Sequence, residues 1–349
     1  MMPKVAVVIL NWNGAHFLAE YLPSVVASSY KNLDIYLADN GSTDNSVAFV
    51  QEHYPQINII LNNENYGFAE GYNQALKHVK ADYYVLLNSD VKVTKNWIEP
   101  VIKVMAADER LCLAQPKIRA FYQQTHFEHA GAAGGWIDQL GYVFCRGRCF
   151  DICEEDTGQY DDYTEIFWAT GAALFIKASV YHKLGGLDGD FFAHMEEIDL
   201  CWRAKRAGYH IVYCPDSVVY HLGGGSLPKS NPRKTYLNFR NNLVMLVKNY
   251  NTLQLLTLLP IRICLDFVAA IKTLVNGNIA ETKAILQAQG HFFRHLPLWL
   301  KKRREVAQIV KTNRLNKATF NHKGMYKGSI IVAHFLQGKK YFSEIVKNN

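Results

Sequence analysis

Short apolar runs alternate with amphipathic stretches through the first ninety residues of the chain. The run at residues 5–10 is continuously apolar and rich in β-branched residues, and it is too short for a typical helix. Such a run is typical of a strand that is buried on both faces of a sheet. The alternation predicts an α/β fold with a central, mostly parallel sheet covered by helices. We predict strands at 5–10, 33–38, 57–61 and 83–87, and helices at 14–28, 43–53 and 68–79.

The pattern changes after residue 110. Residues 110–220 mix short strands, such as 172–176, with a helix at 196–207, and beyond residue 235 the pattern is mostly helical. These changes predict two regions, 1–240 and 241–349, of which the second is helical.

Residues 253–275 form the most apolar stretch of the chain, but Pro260, Arg262, Asp266 and Lys272 interrupt it. A membrane-spanning helix needs about 20 mostly apolar residues with few charges. We therefore predict that this stretch lies on a membrane or packs on a partner. A broken span is the alternative.

The net charge of +7 is unevenly distributed. Residues 301–349 contain twelve Lys or Arg and two Glu, which leaves the first 300 residues with a charge of −3. A nearly neutral body with a basic tail predicts an anionic partner surface, either a membrane or a nucleic acid. Because no nucleic-acid-binding motif accompanies the charge, we predict a membrane surface and no nucleic acid.

The seven cysteines show no disulfide pattern. Their odd number, and the lack of a signal-peptide pattern, predict reduced thiols in the cytoplasm. Cys145, Cys149 and Cys153 are evenly spaced, but this spacing fits no zinc motif.

Small polar residues follow each of the first four predicted strands. Ligands of parallel sheets bind beyond the carboxyl ends of the strands, so these residues are expected to line one polar cleft. The first loop has neither a Gly-x-Gly-x-x-Gly fingerprint nor a P-loop. The residues concerned are Asn11 and Asn13 after the first strand, Asp39 and Asp44 after the second, Asn65 and Gly67 after the third, and Asn88 and Asp90 after the fourth.

Two pairs among these residues suggest chemistry. Asp39 and Asp44 offer acceptors for base N–H groups and ribose hydroxyls, although turn formation and helix capping explain them equally well. Asn88 and Asp90 are two positions apart on extended backbone, so both side chains can point to the same side. Their oxygens suit Mg²⁺ or Mn²⁺, with nucleotide phosphates supplying further ligands, and a polar turn is the alternative.

A second acidic cluster opens the helix predicted at 196–207. Glu196, Glu197 and Asp199 lie near its N-terminus, where acids favour the helix dipole, and Asp199 can pair with Arg203 one turn later. Adjacent carboxylates would also serve a general base. A later predicted strand ends at His221, whose imidazole can complete a metal site.

Six motifs stand in order along residues 4–250: VVILNWNG, LADNGSTDNS, NYGFAEGYNQAL, LLNSDVKV, GAALFIKASVYHKLGGLDGDFFAHMEEIDLCWR and HLGGGS. Together they resemble the family 2 glycosyltransferases of GT-A fold, in particular the bacterial rhamnosyltransferase-like branch. The resemblance implies a nucleotide-sugar donor, a divalent cation and inversion at the anomeric carbon. It also implies that residues 1–240 form the GT-A catalytic domain.

The resemblance assigns roles to individual residues. Asp39 matches the aspartate that contacts the base, and Asp90 with His221 matches the metal site. Glu197 matches the usual base, with Glu196 as its competitor. The other implied positions are Asn11, Asn13, Asp44, Asn65, Gly67, Asn73, Asn88, Gly171 and Ala172 on the donor side, and Trp168, Asp199, Gly223 and Ser226 on the acceptor side or in a lid.

The donor and the acceptor are expectations from the resemblance. It favours dTDP-rhamnose as donor, with a UDP-hexose as the alternative, and a saccharide acceptor that is lipid-linked. Residues 236–250 resemble the Arg-Asn helix that follows the catalytic domain in this branch. The region beyond predicts docking on the cytoplasmic face of the inner membrane. A helical homodimer is the alternative for that region.

Two other functions are less consistent with the sequence. A nucleotidyltransferase would need a phosphate-gripping first loop rich in Gly and Lys, which Asn11-Trp12-Asn13-Gly14 is not. A non-catalytic subunit that binds a nucleotide sugar would not need the acids at 196–199.

Overall fold

The computed structural model describes residues 2–223, 231–315 and 318–346. Two sheets and a set of C-terminal helices make up this part of the chain. The strands are β1 Val5–Asn11, β2 Leu33–Asp39, β3 Asn58–Leu61, β4 Tyr83–Asn88, β5 Val91–Val93, β6 Leu111–Ala120, β7 Gly135–Asp138, β8 Val143–Cys145, β9 Arg148–Cys149, β10 Ile152–Cys153, β11 Thr164–Glu165, β12 Ala173–Lys177, β13 His210–His221 and β14 Met325–Tyr326.

Helices cover the sheets and form most of the C-terminal third. They are α1 Ala15–Val26, α2 Ser46–His53, α3 Gly67–Leu76, α4 Ile98–Ala107, α5 Ala178–Lys183, α6 Glu196–Arg206, α7 Pro232–Asn249, α8 Thr252–Val275, α9 Ile279–Arg294, α10 Leu296–Thr312 and α11 Phe342–Ile345. A 3₁₀ turn, Gly189–Phe191, precedes α6, and a π-helix, Val332–Leu336, precedes α11.

The large sheet has the order β11-β13-β6-β12-β4-β1-β2-β3, and β5 pairs with β13. Strands β1 to β4 pair in parallel, whereas β12 is antiparallel to both of its neighbours. This confirms the predicted α/β class. The register aligns Asn11 with Asp39, and Leu10 with Asn88, so the ends of three strands meet at one edge.

Alternate residues of β1 enter two separate hydrophobic cores. Ala6 and Val8 join the core that contains α3, α6 and α7. Val5, Val7 and Ile9 join the core that contains α1 and α4. Burial on both faces explains why the strand is apolar at every position. It also explains why the short central strands could be predicted so closely.

The small sheet was not predicted from the sequence. Its order is β10-β9-β8-β7-β14, and most of its strands have only two or three residues. Strands of this length lack the alternation on which a prediction depends. Strand β14 pairs in parallel with β7, so the C-terminal segment returns to the N-terminal half of the chain.

The predicted division at residue 240 falls inside α7. Leu243, Met245 and Leu246 of this helix are fully buried in the same core as α6. Helix α7 also contacts α9 and α10. The separation of 1–240 from 241–349 as two domains stays a prediction.

All seven cysteines are free, and five of them are buried. Cys145 and Cys149 pack in the hydrophobic core rather than around a metal. Burial raises the pKa of Cys149 to about 12, so its thiol stays protonated.

Candidate active site

The edge where β1 and β2 end is held together by the Asn11 side chain. Its amide group donates to Asp39 Oδ1 at 3.0 Å, Ser42 Oγ at 3.1 Å and Ser46 Oγ at 2.9 Å. Asn11 is fully buried. The structure therefore gives Asn11 a supporting role, since it orients Asp39 instead of presenting an exposed amide to a donor.

Asn13 and Asp44 shape the loop that follows β2. Asn13 Oδ1 accepts from the Thr43 amide at 2.7 Å, and Asp44 Oδ2 accepts from the Ala15 amide at 3.0 Å. Asp44 also accepts from the amide of Ser46 at 3.1 Å. The amides of Ala15 and Ser46 begin α1 and α2, so Asp44 caps two helices. This matches the capping alternative that the sequence left open.

The loop before α3 is shaped by close packing against Phe192. Gly67 has φ +76, and a Cβ there would lie 2.5 Å from the Phe192 ring. Asn65 Oδ1 accepts from the Gly67 amide at 2.9 Å and from Asn40 Nδ2 at 3.0 Å. Gly67, positioned by Asn65, therefore lets the loop at Phe192 pack against the start of α3. No local sequence pattern indicates this contact.

Asn73 makes hydrogen bonds within the protein through both of its polar atoms. Its Oδ1 accepts from Tyr181 Oη at 2.7 Å and from the Leu187 amide at 3.0 Å, and its Nδ2 donates to the Leu187 carbonyl at 2.8 Å. These bonds tie α3 to the segment after α5. They favour a structural role for Asn73. Its contact with the donor stays a prediction.

Asp90 and His221 meet at the end of β4. Asp90 Oδ1 lies 3.3 Å from His221 Nε2, and the side-chain nitrogen Nδ2 of Asn88 lies 3.5 Å from the same ring nitrogen. His221 Nδ1 lies 3.0 Å from Glu128 Oε2, a residue that the sequence analysis missed. Gly223 lies close by, because a Cβ there would be 2.7 Å from Glu128 Oε1.

These side chains fit a divalent cation. A carboxylate and an imidazole face one another, and Glu128 fixes the ring from behind, as carboxylates behind metal-bound histidines do. Against the effect of burial, the charges of Glu128 and Asp90 raise the pKa of His221 to about 10, so a cation would displace a proton from Nε2. Among the described residues no group of three or more His, Cys, Asp or Glu is arranged to hold a metal ion.

Gly171 and Ala172 connect this cluster to the acidic pair of α6. The Ala172 carbonyl accepts from the backbone N–H of Asn88 at 3.0 Å. A Cβ on Gly171 would lie 3.9 Å from the carboxyl carbon of Glu197. The residues at 88–90 and at 196–197 therefore lie on the two sides of one short segment.

The carboxylates of Glu196 and Glu197 are buried without counter-ions. Burial raises the pKa of Glu197 to about 7, although backbone amides, including that of Gly171, favour its charged form. Burial and the charge of Glu197 raise the pKa of Glu196 well above its usual value. One oxygen of each is buried with no partner, as is Nε2 of His194. Such atoms are rare in folded proteins, and they mark places where a polar ligand is expected.

The loop that leads into this pair is strained. Phe192, His194 and Met195 have φ values of 63°, 71° and 73°. The left-handed conformation costs about 1–3 kcal/mol per non-glycine residue. The Phe192 carbonyl accepts from the amides of Phe68 and Ala69, at 2.6 Å and 3.1 Å, at the start of α3.

Asn241 and Arg240 of α7 hold the same loop from the other side. Asn241 Nδ2 donates to the carbonyls of Phe191, Ala193 and His194 at 2.7–2.9 Å. Arg240 Nη2 donates to the carbonyl of Asp190 at 2.8 Å. The Arg-Asn helix thus supplies the bonds that keep the strained loop in place. The sequence analysis gave these two residues no role.

Asp199 is paired with positive charge inside the protein. It is fully buried, and its oxygens accept from Arg203 Nε at 2.9 Å, Lys248 Nζ at 2.7 Å and Asn249 Nδ2 at 2.8 Å. The predicted pair with Arg203 is present. Because both oxygens have partners, the structure favours a structural role, and the acceptor-side position stays a prediction.

Trp168 is also part of the core. It is 4% exposed, its indole N–H donates to the Trp136 carbonyl at 2.9 Å, and its ring covers Gly135. This burial favours a packing role over a contact with a sugar ring, and the predicted acceptor-side role of Trp168 stays a prediction. Ser226 lies outside the described residues.

The fold is that of the GT-A glycosyltransferases. A mannosyltransferase from Pyrobaculum calidifontis, solved with GDP-mannose and Mn²⁺, superposes with a TM-score of 0.51 at 15% identity, over 91% of this chain and 88% of the other. GalNAc-T7, solved with UDP, GalNAc and Mn²⁺, superposes with a TM-score of 0.52 at 16% identity, over 63% of this chain and 43% of the other.

The family model described as Glycosyl transferase family 2 matches residues 6–185. The chain therefore belongs to this family of glycosyltransferases. An N-acetylglucosaminyl-diphospho-decaprenol L-rhamnosyltransferase from Mycobacterium tuberculosis is 23% identical over 236 residues, which are 63% of this chain and 76% of the relative.

Proposed function

We propose that this glycosyltransferase inverts the anomeric carbon while it moves a sugar from a nucleotide-diphosphate sugar to a saccharide acceptor. The observation that carries the proposal is the pair of acids Glu196 and Glu197, each with one buried oxygen that lacks a hydrogen-bond partner, one short segment away from Asn88 and Asp90. A base on one side and a diphosphate site on the other are what a single displacement requires.

Glu197 acts as the base. A pKa of about 7 leaves its carboxylate charged in half of the molecules at neutral pH and basic enough to accept a hydroxyl proton. Glu196 is only 3% exposed and has its pKa raised further, so it stays protonated at neutral pH. In this arrangement Glu197 removes the proton of the attacking hydroxyl, and Glu196 remains neutral beside it.

Asp90 and His221 would hold the divalent cation, Mg²⁺ or Mn²⁺, with Glu128 orienting His221. Such a cation, when bound, neutralises the charge that develops on a departing diphosphate. Asn88 lies beside them and donates to ribose or phosphate. Asp39, oriented by Asn11, accepts from the base of the nucleotide.

The donor is dTDP-rhamnose, and the acceptor is a lipid-linked saccharide used in surface polysaccharide synthesis at the cytoplasmic face of the membrane. The name of the mycobacterial relative supports both parts, because it describes rhamnose transfer to a lipid diphosphate saccharide. The residues of the donor edge do not distinguish dTDP from UDP.

A panel of nucleotide sugars tests the proposal. Thermal unfolding is followed with Mn²⁺ or Mg²⁺ and each of dTDP-rhamnose, UDP-glucose, UDP-GlcNAc and GDP-mannose. The favoured donor raises the melting temperature selectively. Asp90→Ala abolishes the metal-dependent part of that shift. A panel that produces no selective shift, or a shift that Asp90→Ala leaves intact, contradicts the proposed donor site.

A further inference from the structure

Helix α8 buries two of its charges and exposes most of its large apolar side chains. Arg262 and Asp266 are 4% and 0% exposed, and Arg262 Nε donates to Asp266 Oδ1 at 2.8 Å. Gln289 of α9 donates to the other oxygen of Asp266 at 2.9 Å, and Arg262 also reaches Asn242 of α7. Two of the residues that interrupt this apolar stretch therefore face the rest of the protein, whereas Pro260 and Lys272 are exposed.

The opposite face of α8 exposes a row of apolar side chains, with Thr257 and Lys272 among them. From Ile261 to Val275 these side chains, together with exposed Cys264, recur at intervals of three and four residues. The exposed fractions of the large apolar side chains range from 42% to 80%. The helix has 24 residues, so this face is about 36 Å long. Soluble monomers rarely expose a patch of this extent. The residues of this outer face are Leu253, Leu256, Ile261, Phe267, Val268, Ile271, Leu274 and Val275.

A second group of exposed apolar residues adjoins the C-terminal half of α8. Lys272 Nζ lies 4.7 Å from the centre of the Phe335 ring. Phe335 and Leu336 are 52% and 79% exposed. Lys339 and Lys340 follow after Gln337 and Gly338. Apolar side chains beside several Lys residues are the composition of surfaces that enter the headgroup region of a bilayer.

Length and composition alone would let α8 cross a membrane, and it is the one such helix found among the described residues. Its contacts argue against crossing. Arg262 is bonded to Asn242 of α7, and α7 is buried in the catalytic core. A spanning α8 would carry that core into the hydrocarbon, whereas a helix lying along the surface would not.

Composition and charge distinguish a bilayer from a second copy of the chain. The outer face is aliphatic with one Phe, whereas protein interfaces are enriched in aromatic residues, Met and Arg. Residues 301–349 carry twelve basic and two acidic side chains. Two such tails would repel one another, but each is attracted to anionic lipid.

We infer that the outer face of α8 inserts into the surface of an anionic bilayer, with the helix lying along the membrane plane. This inference concerns a surface separate from the site of sugar transfer. Vesicle binding tests it without a transfer assay, so its failure and that of the proposed function can be told apart.

The test uses the full-length protein and sedimentation with two kinds of vesicle. One contains phosphatidylglycerol and phosphatidylcholine in equal parts, and the other contains phosphatidylcholine alone. We expect binding to the anionic vesicles that weakens as salt is raised. The double variant Leu256→Glu and Ile271→Glu should bind at least about tenfold more weakly, because two apolar side chains that enter the bilayer become charged.

Leu61→Glu is the matched control. Leu61 is 64% exposed on β3, comparable to Leu256 and Ile271 at 72% and 61%, but it lies outside α8. This variant should bind the anionic vesicles as the wild type does. Equal loss in the control and in the double variant would overturn the inference.

Cys264 provides a second measurement that requires no substitution. It is exposed on α8 and falls between Ile261 and Val268 in the repeat of the outer face. A polarity-sensitive fluorophore on Cys264 should shift its emission to the blue when anionic vesicles are added. An unshifted label, or a dimer in solution that the double variant dissociates without any vesicle binding, would overturn the inference.

Discussion

Helix α6 carries two kinds of buried acid within one turn. Glu196 and Glu197 have raised pKa values, and each has one buried oxygen without a partner. Asp199 is just as buried, but Arg203 and Lys248 surround it with positive charge. Three acids that look alike in the sequence therefore differ in what the fold gives them.

The presence or absence of counter-ions distinguishes an acid that stabilises the fold from an acid that is available for catalysis. A buried acid with counter-ions stabilises the packing of helices, and removing it leaves unpaired cations. A buried acid without them keeps its proton until near neutral pH, and it costs the protein stability once that proton is lost. The pair directly follows a strained loop, and the combination indicates a functional requirement.

Among the changes considered, replacing Glu197 should have the largest effect on the rate of sugar transfer. Glu197→Gln is expected to lower kcat by about 10²–10⁴-fold, because the base is lost. The pKa rise from 4.5 to about 7 means that the charged form destabilises the fold by up to about 3 kcal/mol above pH 7. The variant should therefore be more stable than the wild type at pH 8, as measured by urea unfolding. Retained transfer activity together with unchanged stability would show that Glu197 is neither the base nor a destabilising charge.

Replacing Asp199 should do the opposite. Asp199→Asn leaves Lys248 and Arg203 short of a partner, and we expect the free energy of unfolding to fall by about 3–5 kcal/mol. Measurement at pH 7 by urea unfolding checks this value. In molecules that remain folded, the affinity for the donor should be unchanged. A stable variant with selectively weakened acceptor binding would return Asp199 to the acceptor side.

Asn241 tests whether the strained loop matters for transfer. Asn241→Ala leaves three carbonyls without their donor, and we expect kcat to fall about ten- to a hundredfold while the KM for the donor stays similar. Asn313→Ala is the control, because Asn313 also donates to two backbone carbonyls but lies away from the loop. An equal loss of kcat in both variants would indicate a general loss of stability.

The pH profile should show the smallest effect. Below the pKa of Glu197, about 7, the carboxyl group is protonated and cannot accept a proton. The transfer rate should therefore fall about tenfold for each unit of pH below 7, and level off above it. Steady-state assays at saturating donor check the slope. A rate that is flat below pH 7 would mean that another group acts as base.

The sequence predicted the parts of the molecule in which local pattern and structure coincide. Strand β1 is apolar throughout because both of its faces are buried, and Asp90 was found because it ends such a strand. His221 was found through the resemblance. In each case a residue's own neighbours in the chain carried the signal.

The missed features depend on partners that are distant in the sequence. Glu128 lies 93 residues from His221, and only the small residues that follow it hint at close packing. The structural bonds of Asn73 and Asp199 were missed for the same reason. Their polar atoms are satisfied by Leu187 and Lys248, which no local pattern connects with them.

The return of the C-terminal segment to the small sheet has a practical consequence. Gly324 passes so close to the backbone of Phe167 that a Cβ there would lie 2.2 Å from its nitrogen, and the Ile330 amide donates to Asp138 at 2.9 Å. A truncation at residue 240 would remove β14 and leave β7 as an open edge, which invites aggregation. Expression of the catalytic half should therefore retain this last segment, or supply it as a separate peptide.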